Sequence, residues 1–161
     1  MRAARVAVVS VAVSVALWSA AAQSQAQATD PLTGTWTLDV AKSTISPGPP
    51  PKSVTLKFSE TTDGVTIISD VVLPDGQPVH TEITAKADGK DYPVTGSPTV
   101  DTVSLTRKGN ARTQVEKKDG KIVMTYAGVL SADGKTFNVQ MKGTNSQGQP
   151  VNNSLVYVKK I

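Results

Sequence analysis

The sequence predicts an all-β domain: an antiparallel up-and-down meander of eight to ten strands that closes into a barrel. Three observations carry this expectation. From Asp30 onward no window has helical periodicity, whereas short alternating runs rich in Val, Ile and Thr recur along the whole chain. Five Asp-Gly pairs, Asp63-Gly64, Asp75-Gly76, Asp88-Gly89, Asp119-Gly120 and Asp133-Gly134, each separate two such runs. Asp and Gly tolerate the positive φ that tight hairpins require, so each pair predicts a turn between adjacent antiparallel strands. Finally, ten strands let the last run antiparallel to the first and close the sheet without edges, where nine would need a parallel closing pair. Two packed sheets would show the same alternation, so closure is read from the meander and not from the pattern.

The first strand, 34–40, carries Trp36. Residues 41–51 end in Pro47-Gly48-Pro49-Pro50-Pro51, which cannot join a ladder and predict a stiff extended loop. Strands follow at 53–60, with Val54, Leu56 and Phe58 on one face, at 65–73 (Val65, Ile67, Val71) and at 78–87 (Val79, Ile83, Ala85). Between Asp91 and Pro98 there is room for one short strand around Tyr92 to Val94. Pro93 and Pro98 stiffen a corner there, which is the preferred reading, or the stretch forms a rim at the barrel mouth. The second half gives strands at 101–108 (Val103, Leu105), 111–118 (Val115), 121–130 (Ile122, Met124, Tyr126), 136–143 (Phe137, Val139, Met141) and 151–160 (Val151, Leu155, Tyr157), with Gly109-Asn110 turning the first pair.

The chain has 161 residues. Its start reads as a secretory signal: Met1-Arg2-Ala3-Ala4-Arg5 is basic, Val6 to Trp18 is an uncharged, mostly apolar run of 13 residues, and Ala20-Ala21-Ala22 suits a signal peptidase. We expect residues 1–22 to be a signal peptide, cleaved after Ala22 or alternatively after Ala26 or Ala28. Residues 23–30 are then a flexible leader and 31–161 a single β-barrel domain. The apolar run is short for a membrane span and no cysteine is available for lipidation, so the expectation is a periplasmic or extracellular protein, soluble and without a stable membrane anchor. With no cysteine there is no disulfide, and the core must stabilise the fold alone.

The net charge is +4, and removing Arg2 and Arg5 leaves 15 basic and 13 acidic side chains. That near-balance, with few aromatics and no basic-aromatic stripe, argues against nucleic acid as a partner. Catalytic groups are scarce. No cysteine and a single histidine, His80, exclude a Cys-His pair and a multi-histidine metal site. His80 reads as a surface residue between inward Val79 and Thr81, and Asp70 with Glu82 as a facing pair on the same solvated side. The expectation is no catalytic residue, no metal and no cofactor.

What the pattern leaves is an interior. The predicted wall residues are Phe58, Ile67, Ile83, Leu105, Met124, Tyr126, Phe137, Met141, Leu155 and Tyr157. Ser69, Thr81, Thr113 and Asn153 are the polar positions in register with inward apolar neighbours. Either these residues surround a cavity for a small hydrophobic ligand, or they fill a solid core and the loops bind a protein partner, for example as an inhibitor.

Gly34-Thr35-Trp36 resembles the opening Gly-x-Trp of lipocalins and related calycin barrels. The run from Gly34 to Asp39, continued through Ser46-Pro47-Gly48-Pro49, and the stretch Asp88 to Gly96 are similar to a group of small exported bacterial β-barrel proteins of unassigned function, described as lipocalin-like. The resemblance implies a ligand-binding barrel. The lipocalins' C-terminal helix and disulfide have no counterpart here, and a ten-stranded barrel similar to the fatty-acid-binding proteins fits equally.

Lipocalins place an arginine across the motif tryptophan, which by resemblance points to Arg107, sharing the parity of Val103 and Leu105. Arg107 is expected to stack over Trp36 and close the barrel floor or, if the Tyr92 stretch is only loop, to anchor an acidic head group at the opposite end.

Overall fold

The computed structural model describes residues 30–161. The expected signal peptide and all of the expected leader but Asp30 lie outside the described residues. Ten strands make one antiparallel sheet: β1 (Gly34–Leu38), β2 (Ser53–Thr61), β3 (Gly64–Val72), β4 (Pro78–Ala85), β5 (Asp88–Pro93), β6 (Thr102–Lys108), β7 (Ala111–Lys118), β8 (Lys121–Leu130), β9 (Thr136–Thr144) and β10 (Pro150–Lys159). A short 3-10 turn, Val40–Lys42, follows β1. The short strand expected around Tyr92 to Val94 forms, but it runs from Asp88 to Pro93 and leaves Val94 outside.

The strand order is β4-β3-β2-β1-β10-β9-β8-β7-β6-β5. First and last strands pair antiparallel as expected, with Trp36 opposite Lys159 and Leu38 opposite Tyr157. The ring is nevertheless open between β4 and β5, so the expectation that closure abolishes all edges is corrected. Asp88-Gly89 accounts for the opening. It does not turn a hairpin between neighbours; it forms a bulge, with the β5–β6 register shifting between Asp88 and Asp91. Gly89 takes φ +76° and the Asp88 carboxylate accepts the Lys90 N–H. A bulge bends its strand and leaves a residue unpaired, which turns β5 along β6 instead of against β4. Asp119-Gly120, by contrast, is the hairpin turn expected, with both residues at positive φ, 49° and 71°.

The up-and-down course gives the barrel two distinct ends. At the floor lie Asp30 to Trp36, the β2–β3, β6–β7 and β8–β9 turns, and the end of β10. At the mouth lie residues 39–52 and 94–101 and the β3–β4, β7–β8 and β9–β10 turns. The floor is packed solid. Trp36 is fully buried, its Nε1–H donates to the Leu32 carbonyl (2.8 Å), and its ring lies 6.0 Å from Phe137, which meets Phe58 edge-on at 6.1 Å. Burying such aromatics contributes most to a core without disulfides. Toward the mouth the packing loosens, and Val79 and Ile122, both expected inside, are 43% and 64% exposed. Val79 sits at the turn-proximal end of the inward row of β4, whereas Ile122 is turned outward by a bulge in β8, where the register with β7 shifts and pairs Ile122 with the outward Lys117.

Candidate functional site

The interior holds a cavity of about 440 Å³ that opens toward the mouth. Its size falls within the range of small-molecule sites. Inward rows of β2, β3 and β4 form one wall: Val54, Leu56 and Phe58, then Ile67, Ser69 and Val71, then Thr81 and Ile83. Rows of β8, β9 and β10 form the other, through Tyr126, Phe137, Val139, Met141, Asn153, Leu155 and Tyr157. Cross-strand partners such as Phe58 with Ile67, Ile67 with Ile83, and Tyr157 with Phe137 keep each row facing inward.

Eight of the ten predicted wall residues therefore line the cavity: Phe58, Ile67, Ile83, Tyr126, Phe137, Met141, Leu155 and Tyr157. Leu105 and Met124 do not. Leu105 is fully buried in the core cluster beside Val103, below the open space. Met124 lies flat over Gly143, its Sδ occupying the place that a side chain there would need, and so stays in the wall. Of the four polar positions, Ser69, Thr81 and Asn153 face the cavity and Thr113 does not.

Thr113 marks a misread strand. Val115, the expected inward residue of β7, pairs with Ser104 and Thr125, outside the barrel, and Thr113 pairs with Thr106 and Ala127 on the same outer face. The inward row is Arg112, Gln114 and Glu116. One strand thus lays three polar side chains along an otherwise apolar interior.

Arg112 is 5% exposed at the floor and forms an ion pair with the equally buried Asp30. The Asp30 carboxylate also accepts the Leu32 N–H (2.9 Å), and the Asp30 N–H donates to Glu60 (2.7 Å). Asp30 is therefore a structural part of the barrel and not the end of a flexible leader. The Arg112 guanidinium lies 5.6 Å from the Phe58 ring centroid, and its Nε and Nη1 have no hydrogen-bond partner among the described residues. Burial lowers its pKa from the ordinary arginine value.

Arg107 neither stacks over Trp36 nor reaches the mouth. It stands at the floor, 36% exposed, with Nη1 3.5 Å from Asp30 and Nε directed at the Gly109 carbonyl. The cation over Trp36 is Lys159, 5.3 Å from the ring, whose Nζ also donates to the Pro31 carbonyl at 3.1 Å. Arg107 stands opposite Arg112 and reaches toward Asp30, whereas Lys159 is Trp36's direct cross-strand partner.

Glu116 stands higher on the same strand, directly opposite Val103 of β6 and Met124 of β8, both buried. Gln114 Nε2 donates to its carboxylate at 2.9 Å and the Tyr126 hydroxyl faces it. Burial raises the Glu116 pKa, against the lowering effect of these two donors. Burial and the neighbouring Glu116 charge hold the Tyr126 phenol well above its ordinary value, and burial pushes Tyr157 up to about 12. Both phenols remain neutral hydrogen-bond donors at any physiological pH.

At the rim, Val94, Ser97, Thr99 and Val100 line the cavity, so the stretch after Pro93 forms its edge as well as turning a corner. Tyr92 packs against the core and its hydroxyl donates to Asp88 (3.0 Å). Ile45 and Pro51 line the cavity from the proline-rich loop, which the Ser46 N–H ties to Asn153 Oδ1 at 2.9 Å. His80 is on the outer surface, 2.6 Å from Asp70; the register sets Asp70 opposite His80 and Glu82 opposite Ile68, so Asp70 and Glu82 do not face each other.

A nearly closed ten-stranded up-and-down barrel with an interior cavity defines the class of protein. No family model matches the sequence, and no curated protein matches it. Among solved structures the chain is similar to the zebrafish ileal bile acid-binding protein complexed with cholic acid, at 9% identity and a TM-score of 0.45, over 81% of this chain and 100% of that one. It is also similar to the siderocalin Ex-FABP, at 12% identity and a TM-score of 0.38, over 81% of this chain and 75% of that one.

Proposed function

We propose that the protein binds a small hydrophobic molecule inside its barrel and performs no chemistry on it. The observation that carries this is the cavity of about 440 Å³, walled by Phe58, Ile67, Ile83, Leu155 and their neighbours and bordered at the mouth by loop residues. A barrel whose role lay in its loops alone would gain stability by filling that space, since apolar voids cost contacts on every side. The open interior supports the binding reading over a solid core whose loops bind a partner.

Export completes the proposal. Residues 1–22 have the composition of a signal peptide, and the ligand would be carried or sequestered in the periplasm or outside the cell. Native mass spectrometry of protein purified from its own host tests the binding role. A stoichiometric small molecule released on denaturation is the expected result; a mass equal to the polypeptide alone, together with failure to take up any apolar probe, would overturn it.

A further inference from the structure

Arg112 and Glu116 are the two charged side chains on the cavity wall, and they differ in what surrounds them. The Arg112 charge is matched by Asp30 beneath it, with Arg107 contributing a second cation at the same carboxylate. Glu116 has no cation partner among the described residues. The nearest lysines on its strand are engaged elsewhere: Lys117, on the outer face, holds Asp91 through Nζ at 2.8 Å, and Lys118, on Glu116's own side at the rim, holds Asp101 through Nζ at 2.7 Å. Across the sheet it meets only Val103 and Met124.

The two groups that do reach Glu116, the Gln114 amide and the Tyr126 hydroxyl, are both donors. Donors arranged around a carboxyl favour the anion, and a carboxylate with four lone-pair sites has acceptor capacity left beyond the Gln114 hydrogen bond. An anion organised in this way, facing apolar space without a counter-ion among the described residues, is complementary to a ligand that brings the missing charge.

We propose that Glu116 anchors the protonated nitrogen of an amine whose remaining body is hydrocarbon, with Gln114 and Tyr126 holding the carboxylate and the hydrocarbon running down toward Phe58 and Phe137. This rests on the interior-binding reading and specifies its ligand: a cationic amphiphile with one basic nitrogen, in place of a fatty acid or a neutral lipid.

Isothermal titration with decylamine, decanol and decanoate, each below its micellar concentration and at about pH 7, where an alkyl amine is protonated like lysine, tests the proposal. The purified protein is expected to bind decylamine at least tenfold more tightly than either other probe. Glu116→Gln is expected to remove that preference while decanol still binds. Should this variant fail to fold, the comparison of the three probes on the unaltered protein decides alone. Equal binding of the three probes, a preference for decanoate, or an unchanged preference in Glu116→Gln would overturn the amine assignment and leave interior binding standing. Failure of all three to bind would overturn interior binding and the amine assignment together.

Discussion

Asp30 and Arg112, 82 positions apart, form an ion pair sealed into the barrel floor, with 3% and 5% of their surfaces exposed. It joins the segment entering β1 to the β6–β7 hairpin, which lies on the far side of the ring. Removing one partner leaves an uncompensated buried charge, so Asp30→Asn and Arg112→Met should each destabilise the fold by about 3–5 kcal/mol. The double variant should recover a large part of that loss. Denaturant unfolding of the three variants measures the coupling, and additive losses would show that the pair is not a unit.

Glu116 should make stability depend on pH in the sense opposite to most carboxylates. Its pKa in the folded protein is raised above the ordinary value of 4.5. Whatever stability its neutral form allows is fully present below the unfolded pKa, and it is lost as pH rises through the higher folded value. The ligand-free Glu116→Gln variant is therefore expected to melt higher than the unaltered protein near neutral pH, with the difference vanishing in acid below that window. Thermal melts at a series of pH values check this; a variant less stable at neutral pH would show that the ionised carboxylate is well solvated.

Gly128 lies on the inward row of β8, and a Cβ there would enter the Phe137 ring. Phe137 is held in turn by Trp36, Phe58 and Tyr157 and cannot swing aside freely. Gly128→Ala should cost about 1–3 kcal/mol through overpacking and should change the emission of Trp36. An unchanged melting temperature with unchanged emission would mean that the aromatic floor is looser than its geometry.

Export makes a separate prediction. Deleting residues 1–22 should abolish export and leave a domain that folds, and the exported protein should begin after Ala22, Ala26 or Ala28. N-terminal sequencing of the exported material checks it; a chain still beginning at Met1 would contradict the signal reading.

Much of this architecture is legible in the sequence. On β2, β3, β9 and β10, bulky apolar side chains recur on one face, interrupted by Ser69, Gly143 and Asn153, so the inward face announces itself and most of the wall follows. On β7 it does not. The sole aliphatic residue beyond its first position, Val115, is on the outer face, while the inward row is polar and is identified only by its partners on β6 and β8.

The floor ion pair was illegible for a related reason, because it joins residues brought together by ring closure and not by spacing. Asp88-Gly89 illustrates a third limit. The same dipeptide that turns a hairpin at Asp119-Gly120 makes a bulge in β5, and only the pairing of the neighbouring strands distinguishes the two.

The central claim is that a ligand enters the barrel. Methyl-detected NMR during titration with decanol tests it most directly, because inward and outward methyl groups are distributed over the whole barrel. Saturable shifts of the Ile67, Ile83, Met141 and Leu155 methyls, with the outward Val129 and Val158 methyls unmoved, are the predicted result. Shifts confined to outward methyls, or none at any decanol concentration, would contradict it.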